Sequence, residues 1–193
     1  MLKSPVRENR APGSVRGPLS NRRSYRDGLL LLCSVATARV DFLGVAFYHD
    51  DMPLPHIVID TNVMVASLRS RRGSAFRLLT LVGTGRFAIH LSVPLILEYE
   101  EVLLRELPHL QVPRSVVEDV LDFHCTVATR HQIFFLWRPY LPDPDDDMVL
   151  ELAVTAQCDF IVTYNTRDFV GVERFALRVI EPGAFLQYIG ALP

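Results

Sequence analysis

The sequence predicts a three-layer α/β/α sandwich with a mainly parallel central sheet, and three observations lead there. From His56 onward, short apolar runs alternate with segments of helical spacing. Turn-forming residues separate them, with breaks too short for independent domains. Acidic residues recur just after the apolar runs, where an open α/β sheet gathers its loops.

The first 28 residues read as disordered, because Pro5, Pro12, Gly13, Gly17 and Pro18 interrupt a stretch with neither helical nor strand periodicity. Leu29–Leu32 followed by Ala36-Thr37-Ala38 has the outline of a secretory signal, but the charged lead is too long and the apolar block too broken, so export is not expected. Met52 stands just ahead of the first strand and is read as the start of the domain, 52–193. Residues 1–51 are then a disordered or non-native extension.

Ile57-Val58-Ile59 is expected to be a buried strand ending at Asp60. A short helix from about Asn62 follows, then one at Ser74–Val82 stopped by Gly83 and Gly85. Phe87–Leu91 is the second strand. Ser92 should cap a helix with Pro94 in its first turn and Leu97, Val102, Leu103 and Leu107 at helical spacing. Another helix is expected over Arg114–Arg130, a third strand at Ile133–Leu136, a helix over Asp146–Ala156 and a strand at Phe160–Thr163. A short strand near Leu177–Ile180 and a helix at Gly183–Ile189 complete the chain.

Composition is that of an ordinary globular protein, with 49% hydrophobic and 22% charged residues and a formal net charge of -2. Residues 1–51 carry eight Lys/Arg against five Asp/Glu, and the remainder twelve against seventeen. A nucleic-acid partner would therefore need a local basic strip or a bound cation. Cys33, Cys125 and Cys158 show neither metal-type spacing nor an even count, which favours a reducing cytoplasm. No apolar run approaches the roughly 18 residues of a spanning helix, so no membrane is expected.

The acidic groups come from four separated segments: Asp60 after the first strand, Glu98 in the helix after the second, the run Asp143, Asp145, Asp146, Asp147, and Asp168 with Asn165 after Phe160–Thr163. Oxygen donors from separate segments suit a hard cation such as Mg²⁺ or Mn²⁺, whereas zinc would call for His or Cys. Simpler roles compete. Asp60 could cap a helix, Glu98 could be solvated or offset a helix dipole, the Asp143–Asp147 run could be loop and first-turn charge, and Asp168 could close a turn with Asn165. Asn165-Thr166-Arg167-Asp168 has guanine-reading spacing, but no phosphate-binding G-x-x-x-x-G-K-[ST] accompanies it. Asp60-Thr61-Asn62 lacks the second aspartate of a phosphatase nucleophile motif. His56, His90, His109, His124 and His131 show no ligand spacing and are read as surface or core residues.

Val58-Ile59-Asp60-Thr61-Asn62-Val63, Ser92-x-x-Leu95-x-x-Glu98-Tyr99, Asp143-Pro144-Asp145-Asp146-Asp147 and Asp159-Phe160-Ile161-Val162-Thr163-x-Asn165-x-x-Asp168-Phe169 together resemble the PIN-domain family, over about residues 56–190. The likeness is strongest to the bacterial and archaeal branch of toxins from toxin–antitoxin pairs. The resemblance implies an Mg²⁺- or Mn²⁺-dependent endoribonuclease with catalytic Asp60, Glu98, Asp147 and Asp168. Asp146 competes with Asp147 for the third place, and Asn62, Asp145 and Asn165 support the set. It also implies a small antitoxin partner and homodimers. The alternative is a non-catalytic PIN-like module that binds RNA or protein.

Overall fold

The structure, a computed structural model, describes residues 53–134 and 138–192. The expected extension and the start at Met52 lie outside the described residues. Five strands form one all-parallel sheet in the order β3-β2-β1-β4-β5. They are β1 (His56–Ile59), β2 (Ala88–Ser92), β3 (Thr129–His131), β4 (Phe160–Val162) and β5 (Arg178–Ile180). The helices are α1 (Thr61–Arg69), α2 (Ser74–Leu81), α3 (Val93–Glu106), α4 (Arg114–Val127), α5 (Asp147–Thr155) and α6 (Pro182–Tyr188).

Chain order explains the layers. Successive crossovers from β1 to β2 and from β2 to β3 run in one direction across the sheet, and the connection from β3 to β4 runs back. Because such crossovers are right-handed, α1–α4 lie on one face and α5 on the other. The three residues of β4 and Ile57, Val58 and Ile59 of β1 are at most 2% exposed, so apolar side chains of both pleat directions are covered and the strands read as continuous apolar runs.

Local sequence sets the helix ends near the site. Ser92 Oγ accepts the Leu95 amide at 3.4 Å, with Pro94 in the first turn, so α3 begins directly at the carboxyl end of β2. Its buried stripe is Leu95, Tyr99 and Leu103, one turn apart, whereas Leu97, expected on the apolar face, is 57% exposed. After α2, Gly83 takes φ +78°, and a Cβ there would stand 3.4 Å from both Phe123 and Val127.

The third strand corrects the sequence reading. It is Thr129–His131, not Ile133–Leu136, and α4 ends at Val127, where Ala128 turns extended. As an edge strand paired only with β2, it needs no apolar alternation, and its residues are exposed or half-buried. Ile133 and Phe134 follow in loop conformation; the rest of the expected strand lies outside the described residues.

The histidines are not all scattered. His56 Nδ1 meets His90 Nε2 at 2.9 Å and His90 Nδ1 meets His131 Nε2 at 2.8 Å, a file running diagonally across β1, β2 and β3. Each contact needs one proton between two nitrogens, and a neutral His90 joins both by donating through one ring nitrogen and accepting through the other. Burial, then the charges of His131 and His56, push His90 down to about 4. The unfolded chain takes this proton near 6.5, so the resulting stability is complete above that pH and is lost as pH falls toward 4. Denaturant melts at pH 7.5 and 4.5 should show the wild type losing on the order of 2–3 kcal/mol more than His90→Leu. Parallel pH profiles for the two proteins would remove His90 from the account.

Candidate functional site

The sheet order reverses at β1: β2 and β3 lie on one side, β4 and β5 on the other. At such a switch point the loops leaving neighbouring strands diverge and open a crevice at the carboxyl ends. Asp60 follows β1 there, and Thr163 follows β4. The Thr163 hydroxyl donates to Asp60 Oδ2 at 2.5 Å. Asn62 Nδ2 donates to the same carboxylate oxygen at 2.7 Å and to Thr163 Oγ1 at 2.9 Å. Asp60 occupies the N-cap position of α1; the amides of Thr61 and Asn62 help to hold its charge but none makes a close capping bond, and its short partners are the side chains of Thr163 and Asn62.

Glu98 is brought alongside by its neighbour in sequence. The buried Tyr99 hydroxyl donates to the carbonyl of Ile59, tying α3 to the last residue of β1. One Glu98 oxygen, Oε1, accepts from Thr61 Oγ1 at 2.5 Å. The other, Oε2, is buried with no hydrogen-bond partner, a costly arrangement for an acceptor unless a ligand completes it. Glu98 is therefore neither a solvated surface charge nor a simple offset to the helix dipole.

Asp60, Asn62, Glu98 and Asp146 line one pocket of about 590 Å³. Asp146 also belongs to a second group: one carboxylate oxygen each from Asp143, Asp146 and Asp168 lie within 4.8 Å of one another. Asp146 thus joins two sets of acids, one in the pocket and one beside it. Asn165 Nδ2 donates to Asp168 Oδ2 and steadies it, side chain to side chain and not side chain to backbone as the turn reading expected, and Asp168 still faces Asp143 and Asp146. Asp145 is exposed, its amide closes a turn onto Asp143 Oδ1 at 3.0 Å, and its charge reaches Glu98.

Asp147, expected as the third carboxylate, does not line the pocket with Asp60, Glu98 and Asp146. It is the first residue of α5, 1% exposed, and its carboxylate accepts the amides of Tyr140 at 3.1 and 3.2 Å and of Leu141 at 2.9 Å. The helical spacing that puts Asp147 on the side of Leu150 and Glu151 puts it on the buried side, since those two are 1% and 2% exposed. With α5 starting one residue later than expected, Asp146 occupies the position facing the pocket. Asp143 lies beside Asp146 and Asp168, a placement that the sequence does not reveal because proline-bounded loop residues carry no periodicity to orient them.

Electrostatics mark the same residues. Burial raises Asp60 above the usual carboxylate range against the hydrogen bond from Thr163, and Asp168 pushes the same way as burial. Burial also raises Glu98 against the Thr61 hydrogen bond, with Asp60, Asp145 and Glu101 adding repulsion. Burial, then Asp60, Asp143, Asp168 and Glu98, lift Asp146 to about 7. A half-buried set of acids in which repulsion is this strong fits a divalent cation: the donors are all oxygen, and an unpartnered buried oxygen is among them.

The two neighbouring aspartates should behave oppositely when neutralised. Asp147→Asn sets an amide NH₂ where two backbone amides need acceptors and should lower stability on the order of 2–3 kcal/mol. Asp146→Asn removes a repelling charge and should leave the metal-free protein at least as stable. Thermal melts in EDTA at pH 7.5 measure both; equal destabilisation would contradict the division of roles.

Two comparisons bear on this arrangement. None of the curated proteins matches the chain. A family model, the PIN domain, matches residues 56–167, from the start of β1 through Asp60, Glu98, Asp143 and Asp146 to the residue before Asp168. The match covers more than half of the sequence and the strands that carry the acids, and the chain belongs to the PIN domain family, whose members are generally nucleases.

Proposed function

We propose that the protein is a divalent-metal-dependent endoribonuclease that hydrolyses RNA phosphodiester bonds, with Asp60, Glu98, Asp146 and Asp168 as the acids that hold Mg²⁺ or Mn²⁺. The observation that carries this reading is the convergence of carboxylates from four chain segments at the sheet's switch point, with Glu98 Oε2 buried and unpartnered. When bound, such an ion supplies water of lowered pKa near neutral pH and positive charge for the phosphate undergoing displacement.

The chain's own groups do the positioning. Asn62 and Thr163 hold Asp60 Oδ2 from two directions, fixing the acid at the mouth of β1. Thr61 orients Glu98 through one oxygen, and Asn165 orients Asp168. Asp146, raised to about 7 by burial and by the neighbouring acids, is the acid that an ion would relieve most, since a bound cation favours its ionised form. Asp143 widens the acidic face on the solvent side and stands here as a fifth donor.

The role as the toxin of a toxin–antitoxin pair is part of the same proposal, as are a small antitoxin and homodimers as partners. Exposed Val93 and Leu97, one turn apart near the start of α3, give a protein partner an apolar foothold close to the acids.

Purified protein given RNA with Mn²⁺ should cleave it and stop in EDTA. Asp60→Asn and Asp146→Asn should each lower the rate at least about 100-fold while leaving the circular dichroism unchanged. Binding without cleavage under all metal conditions would replace the nuclease with a non-catalytic module.

A further inference from the structure

The pocket that holds the acids does not stop at them. On α3, Glu98, Val102 and Glu106 line it at successive turns, and on α1 so do Asn62, Ala66 and Arg69. The two helices therefore wall a groove about 12 Å long, since eight residues separate Glu98 from Glu106. At its far end Arg69 Nη2 pairs with Glu106 at 3.0 Å. The exposed loop after α1 continues Arg69-Ser70-Arg71-Arg72 before Gly73, and both ends of that loop, Arg69–Ser70 and Gly73, line the pocket. Asp60, Glu98 and Asp146 lie at one end of the groove; at the other, Glu106 offsets Arg69, and Arg71 and Arg72 of the adjoining loop add net positive charge.

One aromatic ring faces this groove. Tyr164 is 42% exposed and lines the pocket. An exposed tyrosine is usually free to reorient, but this one is tied twice. Its backbone amide donates to Asn62 Oδ1 at 3.2 Å, and its hydroxyl lies 3.0 Å from Ser74 Oγ at the start of α2. The residue that holds its backbone is the one that holds Asp60. The ring is thus set at a fixed place relative to the acids, with its orientation settled before any ligand arrives.

Building on the nuclease reading, we propose that Tyr164 is the stacking platform for a nucleobase adjacent to the cut phosphate. The neighbouring phosphates of the strand run along the groove toward Arg69, Arg71 and Arg72. A tethered aromatic face beside a cationic track is the combination that binds single strands, because every base has a face to stack and every linkage carries one charge. Guanidinium groups suit phosphate through paired donors. A paired duplex hides its base faces and cannot use the ring. The arginine end also disfavours a basic peptide as the occupant.

Fluorescence anisotropy with a labelled ten-nucleotide single-stranded RNA and a hairpin of the same composition, in EDTA so that no strand is cut, tests this. The wild type should prefer the single strand. Tyr164→Ala should weaken that binding about tenfold or more, and Tyr164→Phe, which keeps the ring and loses only the hydroxyl, should stay within about threefold of the wild type. The double variant Arg71→Gln, Arg72→Gln should bind more weakly and flatten the dependence of log affinity on log salt by about one or more. Single-strand binding unaffected by Tyr164→Ala would overturn the stacking role, and so would equal loss in the Ala and Phe variants. A basic peptide binding this groove while RNA does not would overturn the substrate assignment. Cleavage by the wild type with Mn²⁺ is scored separately. A protein that cuts RNA but ignores Tyr164→Ala loses only this inference, and one that shows the binding pattern without ever cutting loses only the nuclease reading.

Discussion

Asp60, Glu98 and Asp146 share one pocket with Asp143 and Asp168 close by, and burial and mutual repulsion hold the first three above the usual carboxylate range. Such a set is costly to a folded protein. Like charges at close range, partly removed from water, favour either shared protons or a bound cation. Arginines are close enough to help elsewhere, as Arg138 does for the buried Glu151 at 3.2 Å, yet no salt bridge among the described residues reaches Asp60, Glu98, Asp146 or Asp168. The acids are left to neutralise one another through protons, or to be neutralised by an ion.

The fold spends specific contacts on maintaining that unfavourable arrangement. Asn62 alone touches Asp60, Thr163 and the Tyr164 amide, so one side chain joins the ends of the two central strands. Tyr99 does the same between α3 and β1, and Ser92 sets where α3 begins. These groups lie on regular elements packed against the core, which is how a site keeps its geometry when its own charges push it apart. Among the described residues no helix is long and apolar enough to cross a membrane. The buried surface instead belongs to the sheet and the helices that cover it.

Much of this was legible in the residues. Apolar runs that end in an acid, as Ile57-Val58-Ile59-Asp60 does, announce both a buried strand and its reactive end, and Ser92 with Pro94 announces a helix start. Three things were not legible. The edge strand Thr129–His131 has no apolar pattern because one partner strand and partial solvent exposure demand none. The choice between Asp146 and Asp147 turns on a one-residue difference in where α5 begins, and on amides of Tyr140 and Leu141 that are seven and six residues away in a loop. The His56–His90–His131 file depends on the register of three strands, which spacing along the chain does not encode.

The proposed function requires the acids to be a cation site and not a repelling surface. Titrating Mn²⁺ into the protein while following free ion by its paramagnetic resonance signal addresses that without reference to any substrate. Saturable binding is expected for the wild type, tighter at pH 8 than at pH 6 because the ion displaces protons held by the crowded acids, and it should be lost in both Asp60→Asn and Asp146→Asn. No saturable binding to the wild type, or binding that survives both substitutions, would contradict it.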